Sequence, residues 1–131
     1  MSEHQGSRGI VVAHGTMAEG LVDAVRRIAG GAADALTPVS NEGRTPQELR
    51  DILERLAGKE PVVIFVDLVS GSCSMAALVS LRESTDRAVV CGVNLPVLLD
   101  FVFHRDLPLD ELVPRIVGKG KDGIRQLPEA S

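Results

Sequence analysis

Two side chains in the sequence, His14 and Asp67, are suited to the transfer of a charged group. His14 follows an apolar run that begins after Gly9, and Asp67 follows the apolar run Val62–Val66. A neutral imidazole attacks with one ring nitrogen only when the other nitrogen carries the proton. A carboxylate that accepts this N–H fixes both the tautomer and the ring orientation. The pair therefore predicts a nucleophilic His14 that is oriented by Asp67.

Small and hydroxyl residues follow each of these side chains. Gly15 and Thr16 come after His14, while Gly71 and Ser72 come after the aspartate, in each case at the start of a predicted helix. Free N–H groups at a helix start bind anions such as a phosphoryl group. The pattern predicts phosphorylation of His14 with phosphate-binding residues at these four positions, and it requires neither a metal ion nor a cofactor.

Other interpretations of the titratable residues stay open at this point. His14 is also compatible with a hydrogen-bonded residue at a strand end, and Asp67 with a carboxylate that caps a loop. Cys73, near a helix start, is a second candidate nucleophile, although an inert thiol is the commoner outcome. Cys91 lies within an apolar strand and is expected in the core, while His104 is expected to interact with a helix end.

Apolar runs rich in β-branched residues alternate with amphipathic segments along the chain. The runs predict strands at residues 10–13, 35–39, 62–66 and 88–93, with a possible last strand at 123–127. Helices are predicted after each of the first four strands, and a further helix at about residues 109–119. Capping boxes are predicted at Thr16 with Glu19 and at Thr45 with Glu48.

This alternation predicts an α/β fold with an open, doubly wound and mostly parallel sheet in flavodoxin-like order. Pro38 cannot donate to a ladder and places the second strand at a sheet edge. In such sheets ligands bind beyond the carboxyl ends of the strands, and the ends of neighbouring strands lie about 5 Å apart. We therefore expect the His14 and Asp67 side chains to meet if the first and third strands are neighbours.

The composition narrows the class of protein. The chain has 131 residues, which suits a flexible tail at residues 1–8 and a single domain at 9–131. Its formal charge of -4 argues against nucleic acid as a partner. No apolar run approaches the roughly 18 residues of a membrane span, so we expect a cytoplasmic protein without membrane insertion.

Several segments together resemble the mannose-type IIA family of the bacterial sugar phosphotransferase system. They lie at residues 9–15, 18–21, 66–67, 71–72, 76–77 and 92–96. The resemblance implies a phosphotransferase with a phosphohistidine intermediate, in which His14 accepts phosphate from the histidine phosphocarrier protein and passes it to a IIB component. It assigns Asp67 the role of orienting the imidazole. It also implies a homodimer that exchanges its last strands.

The sequence departs from the family pattern after the aspartate. The family usually has a hydroxyl residue directly after the aspartate, where this chain has Leu68. The family then usually reads Gly-Gly-Ser-Pro-x-Asn-Ala-Ala, whereas residues 70–77 of this chain contain Cys73 in place of the proline and Met75 in place of the asparagine. Two other functions therefore stay open: a regulatory binding module without sugar transport, and a phosphodonor subunit for dihydroxyacetone kinase. A receiver domain is disfavoured because it needs an acidic pair after the first strand.

Overall fold

A four-stranded parallel sheet forms the centre of the structure, a computed structural model that describes residues 6–129. The strands are β1 Arg8–Ala13, β2 Leu36–Ser40, β3 Val62–Val66 and β4 Arg87–Cys91. The helices are α1 Met17–Ala29, α2 Pro46–Ala57, α3 Ser72–Ser80, α4 Leu95–Phe103 and α5 Leu109–Asp122, with short 3₁₀ segments at Gly30–Ala35 and Leu81–Glu83. None of the helices within residues 6–129 combines the length and apolar character needed to cross a membrane.

The strand order is β2-β1-β3-β4, and all three pairings are parallel. The predicted open sheet of flavodoxin-like order is therefore confirmed. Pro38 lies in the edge strand β2, as the sequence predicted. Val12 of β1 pairs with Val66 of β3, so these two central strands end side by side at the carboxyl edge of the sheet.

The core lies in two layers, one on each face of the sheet. Alternate residues of β1 and β3 face α1, α4 and α5 on one side and α2 and α3 on the other. Phe65 of β3 and Phe101 of α4 meet edge to face in the first layer, with ring centroids 5.2 Å apart. Each fully buried side chain of this size stabilises the fold by about 1.5–3 kcal/mol. The two layers together hold the strand ends in fixed positions.

The two predicted capping boxes have different outcomes. At α2, Thr45 and Glu48 exchange both hydrogen bonds of the motif, so the prediction is confirmed. At α1 the prediction is wrong, because the Thr16 side chain makes no capping hydrogen bond. The Thr16 backbone has φ −97° and ψ 8°, whereas a capping side chain needs an extended backbone to reach back to the helix amides.

Two residues of the predicted tail, Ser7 and Arg8, make hydrogen bonds to the rest of the chain. The predicted tail covers residues 1–8, of which 1–5 lie outside the described residues. The Ser7 amide donates to the Arg105 carbonyl at 2.9 Å, and the Arg8 amide donates to the Pro61 carbonyl at 3.1 Å. The Arg8 guanidinium also donates to the Leu56 carbonyl at 2.7 Å. These hydrogen bonds hold Ser7 and Arg8 in place, while the division of the chain into a tail and a single domain stays a prediction.

The last helix is longer than predicted, and no strand follows it within the described residues. Helix α5 extends to Asp122, and residues 123–129 form turns and irregular backbone. The strand predicted at residues 123–127 is therefore not formed within this chain, because no strand of the described part of the chain pairs with that segment. Exchange of this segment between two chains stays a prediction.

Candidate active site

The structure brings His14 and Asp67 into direct contact. Nδ1 of His14 lies 2.8 Å from Oδ2 of Asp67, and the main-chain N–H of His14 donates to the same oxygen at 2.9 Å. The Leu68 amide donates to Oδ1 at 3.0 Å. The aspartate side chain is 8% exposed and the histidine side chain 46%. The carboxylate is therefore held by main-chain donors and in turn fixes the imidazole.

The sheet explains why these two residues meet. His14 is the first residue after β1, and Asp67 is the first residue after β3. Because β1 and β3 are hydrogen-bonded neighbours that run in the same direction, both residues leave the sheet at the same edge. The contact expected from the sequence is present in the structure.

The electrostatics favour an ionised aspartate beside the ring. Burial alone would raise the pKa of Asp67, but hydrogen bonds from the His14 amide and ring outweigh it and hold this pKa below its ordinary value. A carboxylate that accepts the Nδ1–H of a neutral imidazole leaves the Nε2 lone pair available. It also stabilises positive charge on the ring when Nε2 forms a bond.

Nε2 of His14 has no hydrogen-bond partner among the described residues, and it lies beside Gly71. A Cβ at Gly71 would come within 3.9 Å of Nε2 and 3.6 Å of Cε1. Gly71 has φ +105°, a conformation that residues with a side chain rarely adopt. Ser72 begins α3, where the first amides of a helix have no partner within the helix. Of the four predicted phosphate-binding residues, Gly71 and Ser72 thus lie at the N-terminus of α3, beside Nε2 of His14.

The other two predicted phosphate-binding residues are placed less favourably. Gly15 has φ +59°, and its amide already donates to Oδ1 of Asn41 at 3.3 Å. That amide is therefore occupied, which argues against the predicted contact with an anion. Thr16 is exposed, and its carbonyl accepts the Gly20 amide at 3.1 Å.

Ser40 and Asn41 hold the loop that carries His14, a role that the sequence interpretation missed. The Ser40 hydroxyl donates to the Gly15 carbonyl at 2.7 Å. The Asn41 amide donates to the Ala13 carbonyl at 3.2 Å, and the Asn41 side chain accepts from Gly15. Both residues stand at the carboxyl end of β2, next to β1. The sequence signal that could have indicated this role is that both polar residues come at the end of a strand that lies beside β1.

Cys73, the second candidate nucleophile in the sequence, lies beside His14, a contact that the sequence did not predict. Its Sγ lies 3.9 Å from Nδ1 of His14, although 59 positions separate the two residues in the chain. The side chain is fully buried. Burial and the negative charge of Asp67 raise the pKa of the Cys73 thiol. The thiol is thus protonated at neutral pH, which argues against Cys73 as the resting nucleophile.

The geometry can be compared with known protein families. The family model EIIA-man, described as the fructose IIA component of the phosphotransferase system, matches residues 9–117. The chain belongs to this family. The resemblance to mannose-type IIA components stated from the sequence is therefore confirmed, and with it a general role in the phosphoenolpyruvate-dependent sugar phosphotransferase system. No curated protein sequence matches this IIA chain significantly.

Solved structures of similar fold include further IIA proteins. The phosphotransferase system component EIIA from Streptococcus agalactiae is 25% identical, with a TM-score of 0.84 over 91% of this chain and 95% of its own. The mannose/sorbose-specific IIA subunit from Enterococcus faecalis is 24% identical, with a TM-score of 0.83 over 97% of this chain and all of its own. The second match, being below 25% identity, supports the fold alone.

Proposed function

We propose that this IIA protein carries a phosphoryl group on Nε2 of His14. It accepts the group from the histidine phosphocarrier protein and passes it to a IIB component. The observation that carries the proposal is the 2.8 Å contact of Nδ1 with Asp67, which leaves the opposite ring nitrogen free and next to Gly71. A ring held in this way presents one nucleophilic atom in one orientation.

The transfer step follows from this arrangement. The Nε2 lone pair attacks the phosphorus of a donor phosphohistidine, and the new N–P bond forms as the donor's N–P bond breaks. The donor nitrogen keeps the electron pair of the broken bond. The Nδ1 proton stays on the His14 ring, where the Asp67 carboxylate offsets the positive charge that develops. Passing the group on repeats the same exchange, with His14 as the donor.

Helix α3 supplies the proposed binding site for the phosphoryl oxygens. Its N-terminus begins at Ser72, directly after the Gly71 backbone that lies beside the ring. The positive end of a helix dipole and its free amides favour a dianionic group, by about 0.3–1 kcal/mol for an exposed charge. A reversible carrier needs moderate affinity of this kind, because the same group must leave again.

The exposed apolar side chains near His14 support a protein as the reaction partner. Leu68 is 56% exposed, Val69 77% and Met75 62%. The first two follow Asp67 directly, and Met75 stands in the first turns of α3. Apolar side chains clustered around a reactive residue are typical of protein interaction surfaces. A donor or acceptor domain can cover them while its own histidine reaches Nε2.

Phosphorylation can be tested with purified components. The IIA protein is incubated with phosphoenolpyruvate, enzyme I and the phosphocarrier, and peptides are mapped by mass spectrometry at neutral pH. We expect one acid-labile phosphate on His14 that requires the phosphocarrier. His104→Ala is the matched control, because His104 lies at the end of α4 and contacts the Asp100 carbonyl instead. A phosphate that persists in His14→Ala would refute the assignment.

The acceptor distinguishes sugar transport from the two other functions. Leu68 and Met75, which depart from the family pattern, are exposed beside the site and therefore bear on partner choice. Phosphorylated protein is offered to a purified IIB domain and to the dihydroxyacetone kinase subunits in parallel. Rapid loss of phosphate to the IIB domain supports the transport role. Loss to neither acceptor would favour a regulatory module.

We also propose a homodimer that exchanges residues 123–127. β4 is an edge strand, and the groove beside it is lined by Val89, Cys91, Val97 and Ile124. Ile124 and Leu127 are 81% and 79% exposed, so the segment has apolar side chains that a second chain could cover. Light scattering of the full chain at micromolar concentration should give twice the monomer mass. A monomeric mass would contradict the exchange.

A further inference from the structure

Three side chains beside one another carry the donor atoms of a transition-metal site. Nδ1 of His14, a carboxylate oxygen of Asp67 and Sγ of Cys73 all lie within 4.8 Å of one another. We propose that these three residues bind one Zn²⁺ ion. A nitrogen, an oxygen and a sulfur ligand together suit zinc, which is bound by all three types.

The two distances from Nδ1 of His14 to the other donor atoms are close to what zinc requires. In a tetrahedral site with Zn–N of about 2.0 Å and Zn–S of about 2.3 Å, neighbouring ligand atoms lie about 3.3–3.7 Å apart. Nδ1 lies 2.8 Å from Oδ2 of Asp67 and 3.9 Å from Sγ of Cys73. Displacements of about half an ångström, within reach of side-chain rotation, bring both distances into that range.

Charge and access also favour a divalent ion at this point. The Asp67 carboxylate and a Cys73 thiolate together neutralise Zn²⁺. The Cys73 side chain is buried and Asp67 nearly so, while the half-exposed ring of His14 leaves a path from solvent. A fourth coordination position on the solvent side remains for water, as in zinc sites with three protein ligands.

Binding requires a defined change of protonation. The thiol proton of Cys73 is released to solvent as its sulfur coordinates the ion. The imidazole stays neutral, but its proton moves from Nδ1 to Nε2 by exchange with water, because Nδ1 now donates its lone pair to zinc. The Asp67 carboxylate exchanges the ring N–H for the ion. No electron transfer takes part in any of these steps.

The zinc-bound tautomer is the opposite of the one that phosphoryl transfer needs. With zinc on Nδ1, the Nε2 atom carries the proton and has no lone pair in the ring plane with which to attack phosphorus. Zinc binding and phosphorylation of His14 are therefore mutually exclusive. This consequence rests on the proposed function, whereas the binding of zinc itself does not.

The binding is tested with Co²⁺, a spectroscopic substitute for Zn²⁺. A thiolate ligand gives cobalt an intense near-ultraviolet charge-transfer band, and the chain contains no Trp and no Tyr to obscure it. We expect this band to saturate at one Co²⁺ per chain, in protein without a histidine tag, and to disappear when Zn²⁺ is added. Absence of the band in the wild type would overturn the proposal.

Variants identify the ligands. Cys73→Ser should abolish the band and weaken cobalt binding at least tenfold, and Asp67→Asn should weaken binding with the band retained. Cys91→Ala is the matched control, since Cys91 is the other free cysteine and lies in β4. Circular dichroism checks that each variant is folded. A band that persists in folded Cys73→Ser, or that is lost in Cys91→Ala, would refute this ligand set.

The effect on phosphoryl transfer is a separate measurement. With the phosphocarrier in excess, a Zn²⁺ concentration that just saturates the wild type should slow its phosphorylation at least tenfold and slow Cys73→Ser much less, which also controls for inhibition of the donor proteins. Equal inhibition of both proteins would refute the exclusion of phosphate by zinc. If His14 accepts no phosphate even without zinc, the proposed function fails, while the cobalt spectrum still decides the metal site.

Discussion

Two hydrogen-bonded side-chain pairs stand at opposite edges of the same sheet, one where the strands end and the other where they begin. His14 and Asp67 follow the carboxyl ends of β1 and β3, whereas Arg87 is the first residue of β4 and pairs with Glu54 of α2. Both contacts are 2.8 Å long, and each joins a side-chain nitrogen to a carboxylate. The pairs differ in which partner is buried: the carboxylate at the first edge and the guanidinium, 3% exposed, at the second.

The difference lies in how the donors are used. The Arg87 guanidinium donates to both carboxylate oxygens of Glu54 and to the carbonyls of Ser80 and Gly58, so it ties α2, α3 and β4 together. At the other edge His14 uses one ring nitrogen and keeps the other unbonded within the described part of the chain. The Arg87–Glu54 pair stabilises the fold, because most of its hydrogen-bonding groups have partners within the protein. The His14–Asp67 pair can react, because Nε2 of His14 is not bonded to a described residue.

The largest expected effect comes from breaking the reactive pair. Asp67→Asn presents an N–H to the ring and favours the wrong tautomer, a change that costs about four orders of magnitude in an analogous His–Asp pair. We expect phosphorylation to slow at least about 100-fold, which corresponds to about 2.7 kcal/mol of barrier. The rate is measured with phosphocarrier in excess, and circular dichroism confirms folding. If a folded variant reacts at the wild-type rate, Asp67 only caps its loop and has no role in transfer.

Breaking the Arg87–Glu54 pair should lower stability and leave the phosphorylation rate unchanged. Arg87→Met removes a buried cation and leaves the Ser80 and Gly58 carbonyls without this donor, so we expect a loss of about 2–4 kcal/mol in the free energy of unfolding. Urea denaturation measures this loss. Arg27→Met is the matched control, since the Arg27–Asp23 pair is exposed to solvent and contributes little to stability. In the fraction that remains folded, phosphorylation should keep its wild-type rate. A comparable fall in that rate would mean that the two edges are coupled.

A smaller effect is expected from a residue that supports the loop carrying His14. Ser40→Ala removes the hydroxyl that donates to the Gly15 carbonyl and accepts the Glu42 amide. We expect a loss of about 1 kcal/mol in stability and a several-fold slower transfer, because the loop that carries His14 loses one of its supports. Ser84→Ala, on the far side of the molecule, is the control. A stability loss without any change in rate would show that the loop position does not matter for transfer.

The smallest effect is in the pH dependence of stability. The pKa of Asp67 is lowered by its hydrogen bonds to His14, and that of Glu54 by its hydrogen bond to Arg87. A lowered folded-state pKa contributes stability above the unfolded-state value, about 3.9 for Asp and 4.3 for Glu, and this contribution is lost as the pH falls through the folded-state pKa. The stability difference between wild type and Asp67→Asn should therefore shrink from pH 7 toward pH 3. A difference that grows over this interval would contradict the direction of the Asp67 shift.

The local sequence pattern predicted the contact between His14 and Asp67 but not the residues that surround this pair. β-Branched runs and helix starts indicate where strands end, so the sequence alone was enough to expect that His14 and Asp67 meet. The nearness of Cys73 depends on how α3 is rotated against the sheet, and that of Asn41 on the register of β2. Neither is encoded in neighbouring residues. The last segment, 123–127, has strand-like composition, but composition does not say which strand it pairs with.

The two outer strands of the sheet, β2 and β4, differ in how readily another strand can pair with them. Pro38 deprives the β2 edge of a donor, while β4 keeps a regular edge beside exposed Ile124. An open-ended fibre needs two adhesive edges on every molecule, one for each neighbour. A molecule with one such edge joins a single copy of itself through a twofold axis and then has nothing left to offer. Pro38 therefore disfavours open-ended polymers that would need strand pairing at both edges of the sheet.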